Sequence, residues 1–200
     1  MTSDPSQPKL QIFITSTRER RLGPAVATWF TDRAREHAGF QIELVDLQAV
    51  ALPILDEPNH PMKRDYQHDH TKAWSASVAS ADAFAFVVPE YNHGMPPALL
   101  NALDYLYVEW NYKPVAFVSY GGVSGGSRSV QMANPLLTAL KMMPIPESVT
   151  IPFFTKLINA EGIFDPGETP HRALTGMLDE LLRWTQALKT MRAQSGTITG

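Results

Sequence analysis

Apolar positions along the chain fall into two rhythms, short continuous or alternating runs and longer stretches with helical spacing. Leu10-Gln11-Ile12-Phe13-Ile14 is the first short run and predicts a strand. Gly23-Pro24 then opens a helix, because a proline in the first turn gives up an N–H that would have no partner there. Ala25, Val26, Trp29, Phe30 and Ala34 keep helical spacing to about His37, and Gly39 ends the helix. Residues 40–45 alternate apolar and polar and predict a second strand. Residues 51–70 carry Pro, His and Asp without periodicity and predict a long irregular loop. A helix over 71–80 leads to the continuous apolar run 83–88, the pattern of a strand buried on both faces. Residues 97–109 predict a helix with Leu99, Leu100, Leu103 and Leu106 on one side. A fourth strand over 114–118, a helix over 127–142, a weaker fifth strand over 148–151 and a last helix over 170–191 complete the pattern.

Strands alternating with helices define an α/β class, a doubly wound parallel sheet with helices on both faces. No internal repeat and no linker interrupts the chain, so residues 1–200 are expected to form one domain, with 1–8 and 195–200 flexible at its ends. In such a sheet all strands end at one edge, and ligands bind in the crevice outside those carboxyl ends. Three polar or Gly-rich segments fall there: residues 15–23, 89–94 and 119–126. The first offers Ser16, Thr17, Arg18 and Arg21 just ahead of a helix N-terminus, where hydroxyls, guanidinium groups and unpaired N–H groups suit a phosphate. The second, Pro89-Glu90-Tyr91-Asn92, sets an aromatic ring and an amide against a flat heterocycle, although it also reads as a simple turn through Asn92-His93-Gly94. The third has glycines that admit close backbone approach, with Ser119, Tyr120, Gly121, Gly122 and Ser124 in or beside it. A phosphorylated flat cofactor fits all three, and flavin mononucleotide (FMN) fits best.

Other chemistries compete for the same residues. Gly122-Val123-Ser124-Gly125-Gly126 matches G-x-S-x-G, the nucleophile elbow of serine hydrolases, and Asp165 and His171 follow in the order such a triad needs. Against it, three residues already separate Ser124 from the strand, and the chain is short for that fold. No G-x-x-x-x-G-K-[ST] phosphate loop and no G-x-G-x-x-G follows the first strand, which argues against a nucleoside triphosphatase and a dinucleotide-binding Rossmann domain. His60, His68 and His70 with Asp65 and Asp69 are irregularly spaced in a polar segment and read as a solvated loop, so no metal site is expected.

Composition narrows the class. At 200 residues, with 44% hydrophobic and 18% charged side chains, the chain can bury a proper core. A net charge of −3 leaves no basic footprint for nucleic acid or an anionic membrane. The chain has no cysteine, which excludes disulfides, thiolate metal sites and a cysteine nucleophile. The polar, Pro-rich amino terminus has no apolar signal core behind it, and no run reaches the ~20 apolar residues that span a bilayer, so a cytoplasmic protein is expected.

The segments Pro89-Glu90-Tyr91-Asn92-His93-Gly94, Leu99-Leu100-Asn101-Ala102-Leu103-Asp104, Lys113-Pro114-Val115 and Ser119-Tyr120-Gly121-Gly122 together resemble the NADPH-dependent FMN reductase family. The resemblance covers residues from about 10 to 153 and implies a flavodoxin-like sandwich with strand order 2-1-3-4-5. It implies that Ser16, Thr17, Arg18, Arg21 and Gly23 hold the FMN phosphate. Residues 89–92 and 119–124 would then border the isoalloxazine ring. The family usually has Gly where this chain has Thr15, a change expected to tighten the loop. The implied activity passes hydride from NADPH or NADH through FMN to a small-molecule electron acceptor such as a quinone, azo compound or free flavin, with no dedicated catalytic residue. Arg20 and Arg21 are candidates for a nucleotide 2′-phosphate, which favours NADPH. An electron carrier of the flavodoxin type is the alternative, but carriers usually present a strongly acidic docking surface and this chain is nearly neutral. Leu99, Leu103, Leu106, Tyr105, Tyr107 and Trp110 offer more apolar area than one sheet face needs, and the family resemblance implies a homodimer, sometimes a tetramer.

Overall fold

The computed structural model describes residues 7–195, and its centre is a five-stranded parallel sheet in the order β2-β1-β3-β4-β5. The strands are β1 (Lys9–Ile14), β2 (Gln41–Asp46), β3 (Ala83–Pro89), β4 (Pro114–Tyr120) and β5 (Met143–Ile151). The helices are α1 (Gly23–His37), α2 (Leu47–Val50), α3 (Asp69–Ala79), α4 (Pro97–Asp104), α5 (Ser127–Ala139) and α6 (Glu168–Ser195). The sandwich and its strand order are those expected from the sequence. No described helix is long and apolar enough to cross a membrane.

β3 and β4 are buried along their whole length, as their apolar runs predict. Their alternation is one of size. Ala83, Ala85, Val87, Ala116 and Val118 face one core, which contains Val26, Ala27 and Phe30 of α1 and Met177, Leu178 and Leu181 of α6. Phe84, Phe86 and Phe117 face the other, with Phe13, Trp74, Leu99, Leu103, Trp110 and Leu137. Small side chains let α1 and α6 approach the sheet closely, while aromatic edge-to-face contacts fill the opposite layer, as between Phe86 and Phe117 with ring centroids 5.7 Å apart.

Several boundaries differ from the sequence reading. The helix expected over 97–109 stops at Asp104, and a separate 3₁₀ turn forms at Val108–Trp110. Tyr105 keeps helical φ and ψ, and its hydroxyl donates toward the Pro53 carbonyl at 3.1 Å and Asp56 at 2.8 Å; the backbone departs from the helix at Tyr107, with φ −135°. Leu99, Leu103, Leu106, Tyr105 and Trp110 are all buried in the chain's own core. They are therefore not surplus surface, and only Tyr107 of that set is half-buried. β5 starts five residues before the expected 148, because Pro144 and Pro146 are tolerated in an edge strand. Pro89, Ser119 and Tyr120, taken as loop, continue their strands, and Pro89 pairs with Tyr120. The irregular 51–70 segment contains a 3₁₀ turn at Pro61–Lys63 and follows α2, which the sequence reading did not include. Gln7 donates from its side chain to the Ala38 carbonyl, and the Pro8 carbonyl accepts from Gln41 N at 2.9 Å. Expected flexibility of residues 1–6 and 196–200 lies outside the described residues.

Candidate functional site

A cavity of about 680 Å³ opens at the carboxyl edge of the sheet. Arg18, Arg21 and Leu22 from the loop after β1 line one side, and Pro89, Glu90, Tyr91 and Asn92 after β3 line another. Tyr120, Gly121 and Gly122 close it from β4, and Phe153, Phe154 and Thr155 from the segment after β5. The three segments singled out by sequence therefore meet, although they lie up to about 100 residues apart, because parallel strands deliver their ends to one edge.

The β1 loop is held from three directions. Thr15 is buried, and its hydroxyl donates to the Val87 carbonyl of β3 at 2.9 Å, a tether that glycine would lack. Arg21 donates to the Ser16 carbonyl and, through both terminal nitrogens, to the Asp46 carboxylate, with Nη1 to Oδ1 at 2.6 Å. Asp46 also caps α2 by accepting from Gln48 N at 3.0 Å. The hydrogen-bonded Arg21 guanidinium, opposed only in part by burial, holds the Asp46 carboxyl below the usual range. Arg21 is thus neutralised and committed to shaping the loop. Arg18 has no carboxylate partner among the described residues; its guanidinium lies 5.9 Å from the centre of the Tyr91 ring.

The groups left over fit an anion. Ser16 Oγ is buried beside the Tyr120 hydroxyl, which it partners. The backbone N–H groups of Ser16, Thr17 and Arg18 make no described hydrogen bond. A Cβ on Gly23 would collide with Ser16 Oγ and stand 2.5 Å from the Tyr120 hydroxyl, so only glycine lets α1 start against this loop. Burial of Tyr120 pushes its phenol upward and keeps it neutral. Thr17 is exposed and lines a separate hollow of about 210 Å³ with Leu47, Gln48 and Asn101. A guanidinium without a carboxylate partner and N–H groups without a described hydrogen bond, side by side in this loop, suit an anion.

Residues 91–94 form a tight hairpin, with Tyr91 N donating to the Gly94 carbonyl at 2.9 Å and Gly94 N returning to Tyr91 at 3.0 Å. Asn92 and His93 both have positive φ, 49° and 67°, as a type I′ turn requires. Ser129 Oγ of α5 is 2.7 Å from the carbonyls of both Pro89 and Gly94 and fastens the hairpin. Glu90 is 8% exposed at its side chain. It accepts from Ser124 Oγ at 2.7 Å, Arg128 Nη1 at 2.6 Å and Arg128 N at 3.2 Å. Burial pushes its carboxyl up, but these bonds outweigh burial and hold it below the usual range.

The glycine segment is arranged differently from its sequence reading. Gly126 has φ 88°, and a Cβ there would stand 2.7 Å from Tyr120 N, so glycine is required at the start of α5 rather than at the cavity wall. Gly121 N is used by the Ile151 carbonyl at 3.2 Å, whereas the N–H groups of Gly122 and Val123 make no described hydrogen bond. Ser119 is buried in β4 and faces Thr150 rather than the cavity. The serine-hydrolase reading fails here. Ser124 donates to a carboxylate, His171 Nε2 on α6 accepts from Trp29 Nε1 at 2.7 Å, and Asp165 accepts from Gly167 N. No triad is assembled.

Sequence reading missed Leu22, Pro97, Phe153, Phe154 and Thr155 in the wall, and Asp46, Arg128 and Ser129 behind it. The strand-end rule that marked the other loops also points to Pro152-Phe153-Phe154, which directly follow β5.

The chain is a flavodoxin-like α/β sandwich with a cavity at the carboxyl edge of its sheet. Residues 8–156 match the model of the family described as NADPH-dependent FMN reductase. The chain is 41% identical over 162 residues to the NAD(P)H-dependent FMN reductase C4B3.06c of Schizosaccharomyces pombe, covering 80% of each chain. It is 33% identical over 196 residues to the NAD(P)H-dependent FMN reductase ntnL of Nectria sp, covering 93% of this chain and 98% of that one. The flavoenzyme FerB of Paracoccus denitrificans, an NAD(P)H:(acceptor) oxidoreductase, shares the fold with a TM-score of 0.68 at 21% identity, over 90% of this chain and 98% of that one. The chain belongs to the NADPH-dependent FMN reductase family, and is a flavin-dependent NAD(P)H oxidoreductase that uses FMN.

Proposed function

We propose that this enzyme holds FMN in the carboxyl-edge cavity and reduces small flat acceptors, quinones, azo compounds or free flavin, at the expense of NAD(P)H. The observation that supports the placement is the lining of the cavity, where the Arg18 guanidinium, without a carboxylate partner among the described residues, meets the Tyr91 ring and the backbone of Gly121 and Gly122. When bound, FMN supplies the two-electron chemistry, taking a hydride equivalent from the nicotinamide and delivering it to the acceptor. Arg18 and the N–H groups of residues 16–18 hold the phosphate, while Arg21 and Asp46 keep their loop in shape. Residues 89–92 border the ring. The Gly122 and Val123 N–H groups stabilise negative charge on it, and the Glu90–Ser124–Arg128 network holds that loop against β3. No side chain of this chain is assigned a proton-transfer role.

NADPH is the first donor to test. The reading includes a cytoplasmic location and a homodimer or higher assembly of this single-domain chain. Exposed Ile54, Leu55 and Val108 support the assembly better than the buried helix residues do. Light scattering at micromolar concentration is expected to give at least twice 22.2 kDa. The purified protein is expected to be yellow, to retain FMN on desalting, and to bleach on anaerobic mixing with NADPH. A protein that cannot be reconstituted with FMN overturns the site assignment. One that bleaches only through a partner reductase, and not with NADPH or NADH, is an electron carrier instead.

A further inference from the structure

Phe153 is the least economical residue of the cavity. Its φ is 49°, a left-handed conformation that strains a bulky L side chain, and the residue is 49% exposed, so burial in the core does not offset the strain. The conformation is held by two hydrogen bonds, Phe153 N to the Gly122 carbonyl at 3.0 Å and Lys156 N to the Phe153 carbonyl at 2.9 Å. The first ties Phe153 to the glycine segment that the proposed function places along the flavin. Phe154, its neighbour, is wedged edge-on against Tyr120 with ring centroids 4.7 Å apart, which fixes the segment from behind. Lys156 Nζ lies 5.3 Å over the Phe153 ring, an attraction that orients the ring and leaves its second face for another partner. Leu22, 37% exposed, lines the same cavity.

We propose that Phe153 is the platform on which the ring of an apolar aromatic acceptor packs at the cavity mouth, so that this residue selects acceptors by their apolar ring area. The inference rests on the proposed flavin site and adds to it the residue that discriminates among acceptors. A flat ring arriving at the mouth meets an aromatic face already fixed in place, and its stacking requires no reorganisation of the segment. A small hydrophilic oxidant gains nothing from that face.

The test compares Phe153→Gly, Phe153→Leu and Phe153→Tyr as FMN-loaded proteins. Glycine removes the ring and relieves the backbone strain together, so the melting temperature is expected to stay within about 2 °C of the parent or to rise. Oligomer mass is expected to be unchanged; because Phe153 lines the cavity assigned to FMN, FMN affinity and anaerobic bleaching by NADPH are measured for each variant, and acceptor kinetics are compared at saturating FMN. The KM for a naphthoquinone is expected to rise about three- to tenfold in Phe153→Gly, less in Phe153→Leu, and to be restored in Phe153→Tyr, while ferricyanide kinetics do not move. An equal change for both oxidants, or none for the naphthoquinone, overturns the platform while leaving the flavin site standing. A fall of oligomer mass, or of melting temperature by more than about 5 °C, assigns Phe153 to a structural contact and overturns it as well. A parent protein that neither binds FMN nor bleaches fails at the earlier step, and the platform falls with it.

Discussion

Ser124→Ala separates the flavin reading from its chemical rival more cleanly than any other single change. In the structure the Ser124 hydroxyl has one role, donation to the buried Glu90 carboxylate at 2.7 Å. A hydrogen bond to a charged group contributes about 1.5–3 kcal/mol. Here Glu90 keeps Arg128 Nη1 at 2.6 Å and Arg128 N at 3.2 Å, and Ser124 is only half-buried, so the net loss of stability is expected to be about 1–2 kcal/mol. For a chain of this size that lowers the melting temperature by about 2–8 °C. With FMN saturating, kcat for NADPH oxidation is expected to stay within about threefold of the parent, because the hydroxyl touches no reacting atom. A serine nucleophile would instead lose about ten-thousandfold or more. The assay is steady-state NADPH oxidation with a quinone at several FMN concentrations, alongside a thermal melt. Loss of turnover by a hundredfold or more in the flavin-saturated variant would refute the cofactor-centred reasoning. An unchanged melting temperature would refute the role of Ser124 as a brace for Glu90.

Arg18→Ala removes the uncompensated cation at the phosphate end and is expected to weaken FMN binding by about 1.5–3 kcal/mol, roughly ten- to a hundredfold by fluorescence titration, with kcat at saturating FMN little changed. Gly23→Ala drives a methyl group into Ser16 and Tyr120 and is expected to cost about 1–3 kcal/mol of stability by chemical denaturation, with a parallel loss of FMN affinity. Asp46 and Glu90 both have carboxyl pKa values below those of the unfolded chain. Their contribution to stability is therefore complete above the ordinary carboxyl range, about 3.9–4.3, and is lost as pH falls from there through the lower folded-state values. Melting temperatures across that interval are expected to drop less steeply in Glu90→Gln than in the parent, and an unchanged slope would contradict the assignment.

The doubly wound pattern was legible because strand and helix periods alternate, and a parallel sheet leaves few ways to connect them. Places where the reading missed share a cause, a partner distant in sequence. The 97–109 segment has good periodicity throughout, yet the helix ends at Asp104, and the following Tyr105 is fastened to Pro53 and Asp56 in a segment about 50 residues back. β5 extends back to Met143 through Pro144 and Pro146, residues that only an edge position tolerates, and nothing local announces that a strand will lie at the sheet edge.

The residue types of a mononucleotide site, and the rule that strand ends converge, were set by the order of residues alone. Leu10 to Ile14, Ala83 to Val88 and Pro114 to Val118 are too apolar to lie anywhere but the sheet, so the polar residues after them had to emerge at its carboxyl edge. Which of those polar residues would be free to bind was decided only in three dimensions. Arg18 and Arg21 look equivalent along the chain, yet Asp46, 25 residues away from Arg21, neutralises one and leaves the other. Ser124 sits in a nucleophile motif, and the buried carboxylate of Glu90, 34 residues earlier, makes it a brace. Charge compensation and burial depend on distance through space, and a linear pattern carries that distance only where secondary structure is regular.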